Sequence, residues 1–305
     1  MFQQILFATS ATPACDPAAR VAFNLARRYG GRLALLHVLG VPTRGFSQEV
    51  VDIRTGQKVQ ADEDYLACVR EEITQYYAKQ MESAPGAAID IRLGYPHREI
   101  LRKARDERPD LIVMGGTTED PSSSAYKKVM VGSTFHRVAK AAFCPVLAVG
   151  RSAASFWGGG FSNIVFATDF SKAANAAFDF CLEVAGSLDG ELHLFHALDI
   201  GTPQTGVLID QDAIEKRLRE ARQRIRGLYV PRMGEFKKYS IEVWEGIPYI
   251  EIVKFAREKQ ADLIIMAHQS QALDAENAKL GSNMEQVIVR ASCPVLSVSR
   301  PPKAQ

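Results

Sequence analysis

The chain repeats itself, and that repetition limits what it can fold into more than any other feature. Ile5-Leu6-Phe7-Ala8-Thr9-Ser10 returns as Ile164-Val165-Phe166-Ala167-Thr168-Asp169, and Leu33-Ala34-Leu35-Leu36-His37-Val38 returns as Leu192-His193-Leu194-Phe195-His196-Ala197. Further on, Gly94-Tyr95-Pro96-His97-Arg98-Glu99-Ile100 matches Gly246-Ile247-Pro248-Tyr249-Ile250-Glu251-Ile252, and Asp110-Leu111-Ile112-Val113-Met114 matches Asp262-Leu263-Ile264-Ile265-Met266. Each half closes on Cys-Pro-Val-Leu, at Cys144 to Leu147 and at Cys293 to Leu296. Blocks matched in one order mean that one structural plan is used twice. The spacing between matched blocks shortens towards the C-terminus, so the first half carries the longer loops. A chain of 305 residues also suits two domains of roughly 150 residues each. The boundaries that follow are a first domain over 1–150, a linker over 151–162 and a second domain over 163–305.

The runs 5–9, 33–38, 111–114 and 145–149 are short and almost wholly apolar, as strands of a parallel sheet buried on both faces should be. Their counterparts are 164–168, 192–197, 263–266 and 294–298. Between the first two strands, Asp16-Pro17 reads as an N-cap with proline at the first helical position. Val21, Ala22, Leu25 and Ala26 follow at helical spacing, and Gly30-Gly31 is the stop. In the second half Ser171 is the cap, with Ala174, Phe178, Cys181, Leu182 and Ala185 inside. Second helices are expected over 61–82 and 211–229, and a third after each Gly-x-Pro turn. Strands alternating with helices predict two tandem α/β domains, each a doubly wound parallel sheet. In the linker, Gly158-Gly159-Gly160 suits a flexible segment, while Phe156 and Trp157 predict that part of it packs on a domain surface.

Charged residues make up 24% of the chain and apolar types 47%, with a formal net charge of only +2. That balance gives no electrostatic argument for nucleic acid or an anionic membrane as the main partner. The stretch Lys216 to Arg226, with Arg217, Arg219, Arg222 and Arg224, reads as a solvated helix face. No segment is apolar for long enough to span a bilayer, and the N-terminus lacks the basic start and apolar stretch of a signal peptide. The five cysteines, Cys15, Cys68, Cys144, Cys181 and Cys293, are odd in number and contain no Cys-x-x-Cys pair. They read as reduced thiols, and a cytoplasmic protein is expected.

In an open α/β sheet, ligands bind beyond the carboxyl ends of the strands where strand order reverses. The loops after the strands 5–9 and 111–114, and after their counterparts 164–168 and 263–266, are therefore the candidate site. After the strand 111–114 the first half reads Met114-Gly115-Gly116-Thr117-Thr118, an inserted stretch, then Val131-Gly132-Ser133-Thr134 opening a helix. Glycine lets the backbone approach a phosphate, and the free N–H groups of a helix start, with a serine hydroxyl, bind the anion. Lys127 and Lys128, in the insertion, are either a solvated loop or a source of charge for phosphates.

The order of these blocks resembles the universal stress protein family. The features that carry the likeness are Thr168-Asp169-Phe170-Ser171 after a first strand, a strand ending in His37-Val38, the Gly-x-Pro turns, the Asp110 to Gly115 strand and the closing Cys-Pro-Val-Leu. It covers both halves. It implies Rossmann-like domains of the adenine nucleotide alpha hydrolase type. Nucleotide-binding members of that family have a Gly-x-x-Gly loop, a gap, then Gly-Ser or Gly-Thr around the phosphates, and an aspartate after the first strand near the adenosine. ATP, with magnesium, is thus the ligand the resemblance implies. In the first half it would lie against Ser10, Val38, Gly115, Gly116, Thr118, Gly132, Ser133 and Thr134; in the second, against Asp169, Ala197, Ala267, Ser270, Gly281 and Ser282.

Neither half keeps the whole pattern. The first has Thr118 where the second loop glycine belongs, a longer gap, and Ser10 at the aspartate position. The second keeps Asp169 but reads Ala267-His268-Gln269-Ser270, and a Cβ at the glycine positions hinders both a positive φ and close phosphate approach. Simpler readings stand beside the nucleotide one. Ser282 with Glu285 forms a capping-box pattern, and Asp169 can serve only the turn before Ser171. His37 and His196 end buried-looking strands and read as structural. No Gly-x-Ser-x-Gly, His-Glu-x-x-His or Walker lysine is present, and the remaining histidines show no metal-ligand spacing.

The expectation is a non-enzymatic, nucleotide-responsive protein of the stress response. Its alternatives are an interaction scaffold with decayed sites and a slow ATP hydrolase. Family members pair through their last strands, so the resemblance implies an intrachain contact between 145–149 and 294–298, with a homodimer through other surfaces left open.

Overall fold

The computed structural model describes residues 1–40, 49–51, 58–119, 129–150, 160–200, 210–268 and 281–298. Of the residues singled out above, Lys127, Lys128, Phe156, Trp157, Gly158, Gly159, Gln269 and Ser270 lie outside that set, as does most of the 151–162 linker.

In the first half the principal strands are β1 (Gln4–Thr9) and β2 (Arg32–Gly40), then, after a short hairpin of β3 (Glu49–Val51) and β4 (Lys58–Gln60), β5 (Ala88–Gly94) and β6 (Leu111–Gly115). A ribbon of β7 (Thr117–Glu119) and β8 (Val129–Val131) precedes β9 (Val146–Val149). The second half supplies β10 (Asn163–Ala167), β11 (Glu191–Leu198), β12 (Tyr239–Glu245), β13 (Leu263–Ala267) and β14 (Val295–Val298). The helices are α1 (Asp16–Tyr29), α2 (Glu63–Tyr76), α3 (Ala78–Glu82), α4 (Pro96–Glu107), α5 (Ser133–Ala141), α6 (Lys172–Ser187), α7 (Gln211–Tyr229), α8 (Pro248–Glu258) and α9 (Ser282–Arg290).

The principal strands form one ten-stranded sheet in the order β12-β11-β10-β13-β14-β9-β6-β1-β2-β5. Within each half every pairing is parallel. The halves meet at β14 and β9, which run antiparallel with Leu296 opposite Leu147. Side chains alternate between two cores because the strand repeat is two residues. Ile5, Phe7, Leu111 and Val113 pack under α1 and α2, while Leu6, Ala8, Ile112 and Met114 pack under α4 and α5. Burial on both faces is the reason these strands are apolar throughout.

Matched side chains tie down the strand starts. Asp110 Oδ2 accepts from the Gln3 amide (2.6 Å), and Asp262 Oδ2 accepts from the amides of Ser162 and Asn163 (both 3.0 Å). Pro145 and Pro294, lacking an N–H, precede β9 and β14 and contribute only carbonyls, which accept from Ile112 (3.1 Å) and Ile264 (3.0 Å).

Several local readings are corrected. Cys15, not Asp16, is the N-cap of α1, because a 3-10 turn over Pro13–Cys15 leads into the helix and puts Asp16 in its first turn. The expected helix over 61–82 is broken at Tyr77, whose ring is fully buried against Phe7 and Phe23. The strands β5 and β12, at the two sheet edges, and the two small hairpins add to the expected set. Ser171 does cap its helix, its Oγ accepting from the Ala174 amide (3.1 Å). Gly30 ends α1 in a left-handed turn (φ 66°).

Candidate functional site

Strand order reverses between β1 and β6 in the first half and between β10 and β13 in the second. The chain leaves β1 for a helix on one face of the sheet and β6 for a helix on the other, so a crevice opens between the two exits. An identical framework builds the first exit in both halves. Thr9 Oγ1 and the Tyr77 hydroxyl are 2.7 Å apart, and Thr168 Oγ1 and the Tyr229 hydroxyl 2.6 Å. The same threonine oxygens accept from the amides of Ala11 (2.9 Å) and Phe170 (3.0 Å). Those two residues are left-handed, at φ 52° and 61°, a conformation that disfavours side chains with a Cβ. The turn hydrogen bonds offset that strain. The His37 Nδ1–H donates to the Thr9 carbonyl (3.0 Å), and the His196 Nδ1–H to that of Thr168 (2.8 Å). Burial lowers the pKa of both imidazoles, against the opposing effect of those bonds. They act as neutral braces, in line with the structural reading of both residues.

The two halves set different side chains on this framework. In the first, Ser10 Oγ lies 2.9 Å from Thr12 Oγ1 and 3.1 Å from Cys15 Sγ. Ala11 follows with only a methyl group. A Cβ on Gly115, at the end of β6, would find its nearest atoms at Ala14 O (3.8 Å) and Cys15 Sγ (3.9 Å). The loops after β1 and β6 thus lie side by side with a glycine between them. In the second half, Asp169 Oδ1 accepts from the Ser171 amide (2.9 Å), so its carboxylate shapes the turn. Phe170 stands where Ala11 stood, its ring centre 4.4 Å from that of His196, with the Arg224 guanidinium carbon also 4.4 Å from the Phe170 ring centre. Ala267 replaces Gly115.

The helix starts also differ. Gly132 is the N-cap of α5 at φ −64°, and a Cβ there would meet nothing within 4 Å. The first helical bond runs from the His136 amide to the Gly132 carbonyl (2.9 Å), so the amides of Ser133, Thr134 and Phe135 have no partner inside the helix. Gly281 caps α9 at φ 91°, a conformation that favours glycine. Ser282 is the first residue of α9 and caps nothing with its side chain. The capping-box reading of Ser282 and Glu285 is overturned, because Glu285 Oε1 reaches His136 Nε2 (3.1 Å) across the seam instead.

Of the other candidates, Thr118 is exposed in β7, opposite Met130 of β8, and β8 lies along α9 of the second half. Gly116 is buried, with its amide donating to the Val149 carbonyl (3.0 Å). Its neighbours are Ala148 and Ile288, so it faces the seam between the halves. Val38 and Ala197 sit near the ends of β2 and β11, at the rims of the two crevices. The arginines of α7 are exposed, in line with a solvated face. Cys144 and Cys293 are buried at matched positions, and burial pushes both thiols up to about 12. Among the described residues no helix is long and apolar enough to cross a membrane, and no cluster of three or more His, Cys, Asp or Glu could hold a metal ion.

Sequence reasoning missed the Thr-Tyr-His framework, although Thr9 and Thr168, His37 and His196 all fall inside repeated blocks. The tyrosines stand at helix ends outside those blocks, and their role emerges only from the fold.

Comparison with known proteins bears on both halves. The model of the universal stress protein family matches residues 1–150 and again 160–299. A universal stress protein of Methanocaldococcus jannaschii is 34% identical over 149 residues, covering 47% of this chain and 85% of that protein. The universal stress protein YxiE of Bacillus subtilis is 28% identical over 157 residues, covering 49% of this chain and 99% of its own. Over the whole length, the crystal structure of a universal stress protein from Archaeoglobus fulgidus superposes with a TM-score of 0.67 at 21% identity, covering 98% of this chain and 100% of that one. At that identity the likeness speaks for the fold alone.

Proposed function

This chain belongs to the universal stress protein family, with two such domains in tandem, and from that premise we propose that it is a cytoplasmic regulatory protein that responds to ATP, bound with magnesium in its first half. The observation that carries this reading is the open lining of the first crevice. Gly115 leaves the floor between the loops clear, and Gly132 opens α5 with space around its Cβ position. Unpaired amides at a helix start attract phosphate oxygens both as donors and through the helix dipole. Ser133, exposed at the first position of α5, adds a hydroxyl.

The second crevice supports the opposite role. Phe170, next to Asp169 in sequence, packs its ring against His196 and under the Arg224 guanidinium. Ala267 adds a methyl where the first half has none. An interaction surface without nucleotide is therefore the reading for the second half. The proposal is of binding and response rather than turnover.

Thermal unfolding with and without nucleotide tests it. A ligand that binds only the native state at about one hundred times its Kd stabilises by about 2.7 kcal/mol, which for domains of this size raises Tm by roughly 5–10 °C. ATP with magnesium is expected to give that rise. An unchanged Tm at millimolar ATP contradicts the proposal and leaves an interaction scaffold.

A further inference from the structure

The repeat and the antiparallel pairing of β9 with β14 relate the halves by an approximate twofold at the seam. If the halves were identical there, every contact would occur twice. They differ at matched positions: Gly116 with His268, Ala139 with Ile288, Ala148 with Ser297, and His136 with Glu285.

The differences compensate one another. A Cβ on Gly116 would lie 2.9 Å from Ala148 Cβ and 3.0 Å from Ile288 Cγ2, so only glycine fits beneath that isoleucine. On the other side of the axis stands the larger His268, 5% exposed, with Nδ1 3.0 Å from Ser297 Oγ. The matching backbone bonds are kept, from the Gly116 amide to Val149 (3.0 Å) and from the His268 amide to Val298 (3.3 Å). The helix position equivalent to Ile288 is the small, buried Ala139. Bulk lost from one strand end is thus supplied by the opposite helix, and bulk added to the other is matched by a smaller helix residue. Polarity follows the same rule. His136 Nε2 lies 3.1 Å from Glu285 Oε1, so two equivalent helix positions form one unlike pair.

We propose that the last-strand face of each half is a partner-selective surface, which accepts the opposite half of this chain and rejects its own kind, whether presented by a second copy or by a one-domain relative. Two first halves would leave Gly116 facing only Ala139, an underfilled seam, and would set His136 and its neighbour Lys140 against their equals. Two second halves would drive a histidine against Ile288 where a single Cβ already fails to fit, and would oppose Glu285 to Glu285. Close packing makes such mismatches unfavourable in both directions.

Exchange of residues between matched positions tests this in the full-length chain. Gly116→His recreates the contact of two second halves and is expected to lower Tm by roughly 5–10 °C. Adding Ile288→Ala, the residue of the matched helix position, is expected to recover at least half of that loss, although Ile288→Ala alone also lowers Tm. Should Gly116→His fail to fold, the polar cycle of His136→Glu, Glu285→His and the double exchange is read on its own, because both side chains are partly exposed. The double exchange is expected to be more stable than the sum of the single changes allows. Strict additivity in the cycles that fold overturns the proposal, since it means that neither seam position senses its opposite.

Discussion

The two halves share a framework and differ in what they place on it. Each places, at or just after the end of its first strand, a threonine that binds a buried tyrosine and braces a left-handed residue, and each holds the threonine carbonyl with a histidine. On that framework the first half sets Ser10, Ala11 and Gly115, and the second sets Asp169, Phe170 and Ala267. Duplication supplied two crevices with the same walls. Divergence of a few side chains left one lined by small residues and set an aromatic ring against the histidine brace of the other.

The largest expected departure from this parallel concerns His268, which has only Gly116 as its counterpart. Burial, followed by the charges of Lys140 and His136, lowers its pKa to about 4. With an ordinary value near 6.5, the unfolded chain takes up the proton first as pH falls. Stability from this group is complete above about pH 6.5 and is lost as pH drops towards 4, by about 3 kcal/mol in total. Urea unfolding of wild type and His268→Gln at pH 7 and pH 4 is expected to show that share of the pH dependence only in wild type. An equal pH dependence in both places the sensitivity elsewhere.

A second change sharpens the contrast between crevices. Phe170→Ala with Ala267→Gly installs the first-half residues in the second half, and is expected to cost about 2 kcal/mol of stability through lost packing. If side-chain filling is what closes the second crevice, a second equivalent of ATP then binds. If not, the two crevices differ for another reason.

The tyrosines supply a finer comparison. In the second half the Tyr229 hydroxyl contacts Thr168 and also donates to Asn175 Oδ1 (2.8 Å). In the first half two residues divide that work, Tyr77 with Thr9 and Tyr76 donating to Asp16 Oδ1 (2.8 Å). Tyr229→Phe is expected to destabilise by about 2 kcal/mol and Tyr77→Phe by about 1 kcal/mol, in proportion to the buried bonds lost. Chemical denaturation of the two variants measures the difference, and the reverse ranking would break the parallel.

The smallest effect is expected after the first strands. Asp169→Ala removes the bond to the Ser171 amide and is expected to cost about 1 kcal/mol, whereas Ser10→Ala, in an exposed cluster, costs about half that.

Much of the fold was legible because the repeat exposed strands such as 5–9 and 164–168, whose burial on both faces makes them apolar throughout. The edge strands escaped that search. Charged residues interrupt the apolar pattern in both, Asp90 and Arg92 in β5 and Glu242 and Glu245 in β12, as expected at the edges of the sheet. Local patterns misled where a tertiary partner was stronger. Glu285 matches a capping box in sequence but pairs with His136, and Gly116 sits in a phosphate-loop pattern but faces Ile288. Each depends on the other half of the chain, which no local window contains. The break at Tyr77 has the same origin, since the ring packs inward against Phe7 and its hydroxyl binds Thr9.

Isothermal titration with ATP and magnesium on wild type, Gly132→Asp and Asp169→Ala tests the central claim most directly. At φ −64° with open space around its Cβ position, Gly132 accepts a side chain without strain, and an acidic group at a helix start does not destabilise the helix. It does place negative charge where phosphate would bind. One equivalent per chain is expected for wild type, lost in Gly132→Asp and kept in Asp169→Ala. Binding that survives Gly132→Asp, or disappears in Asp169→Ala, would contradict the assignment of the nucleotide to the first half.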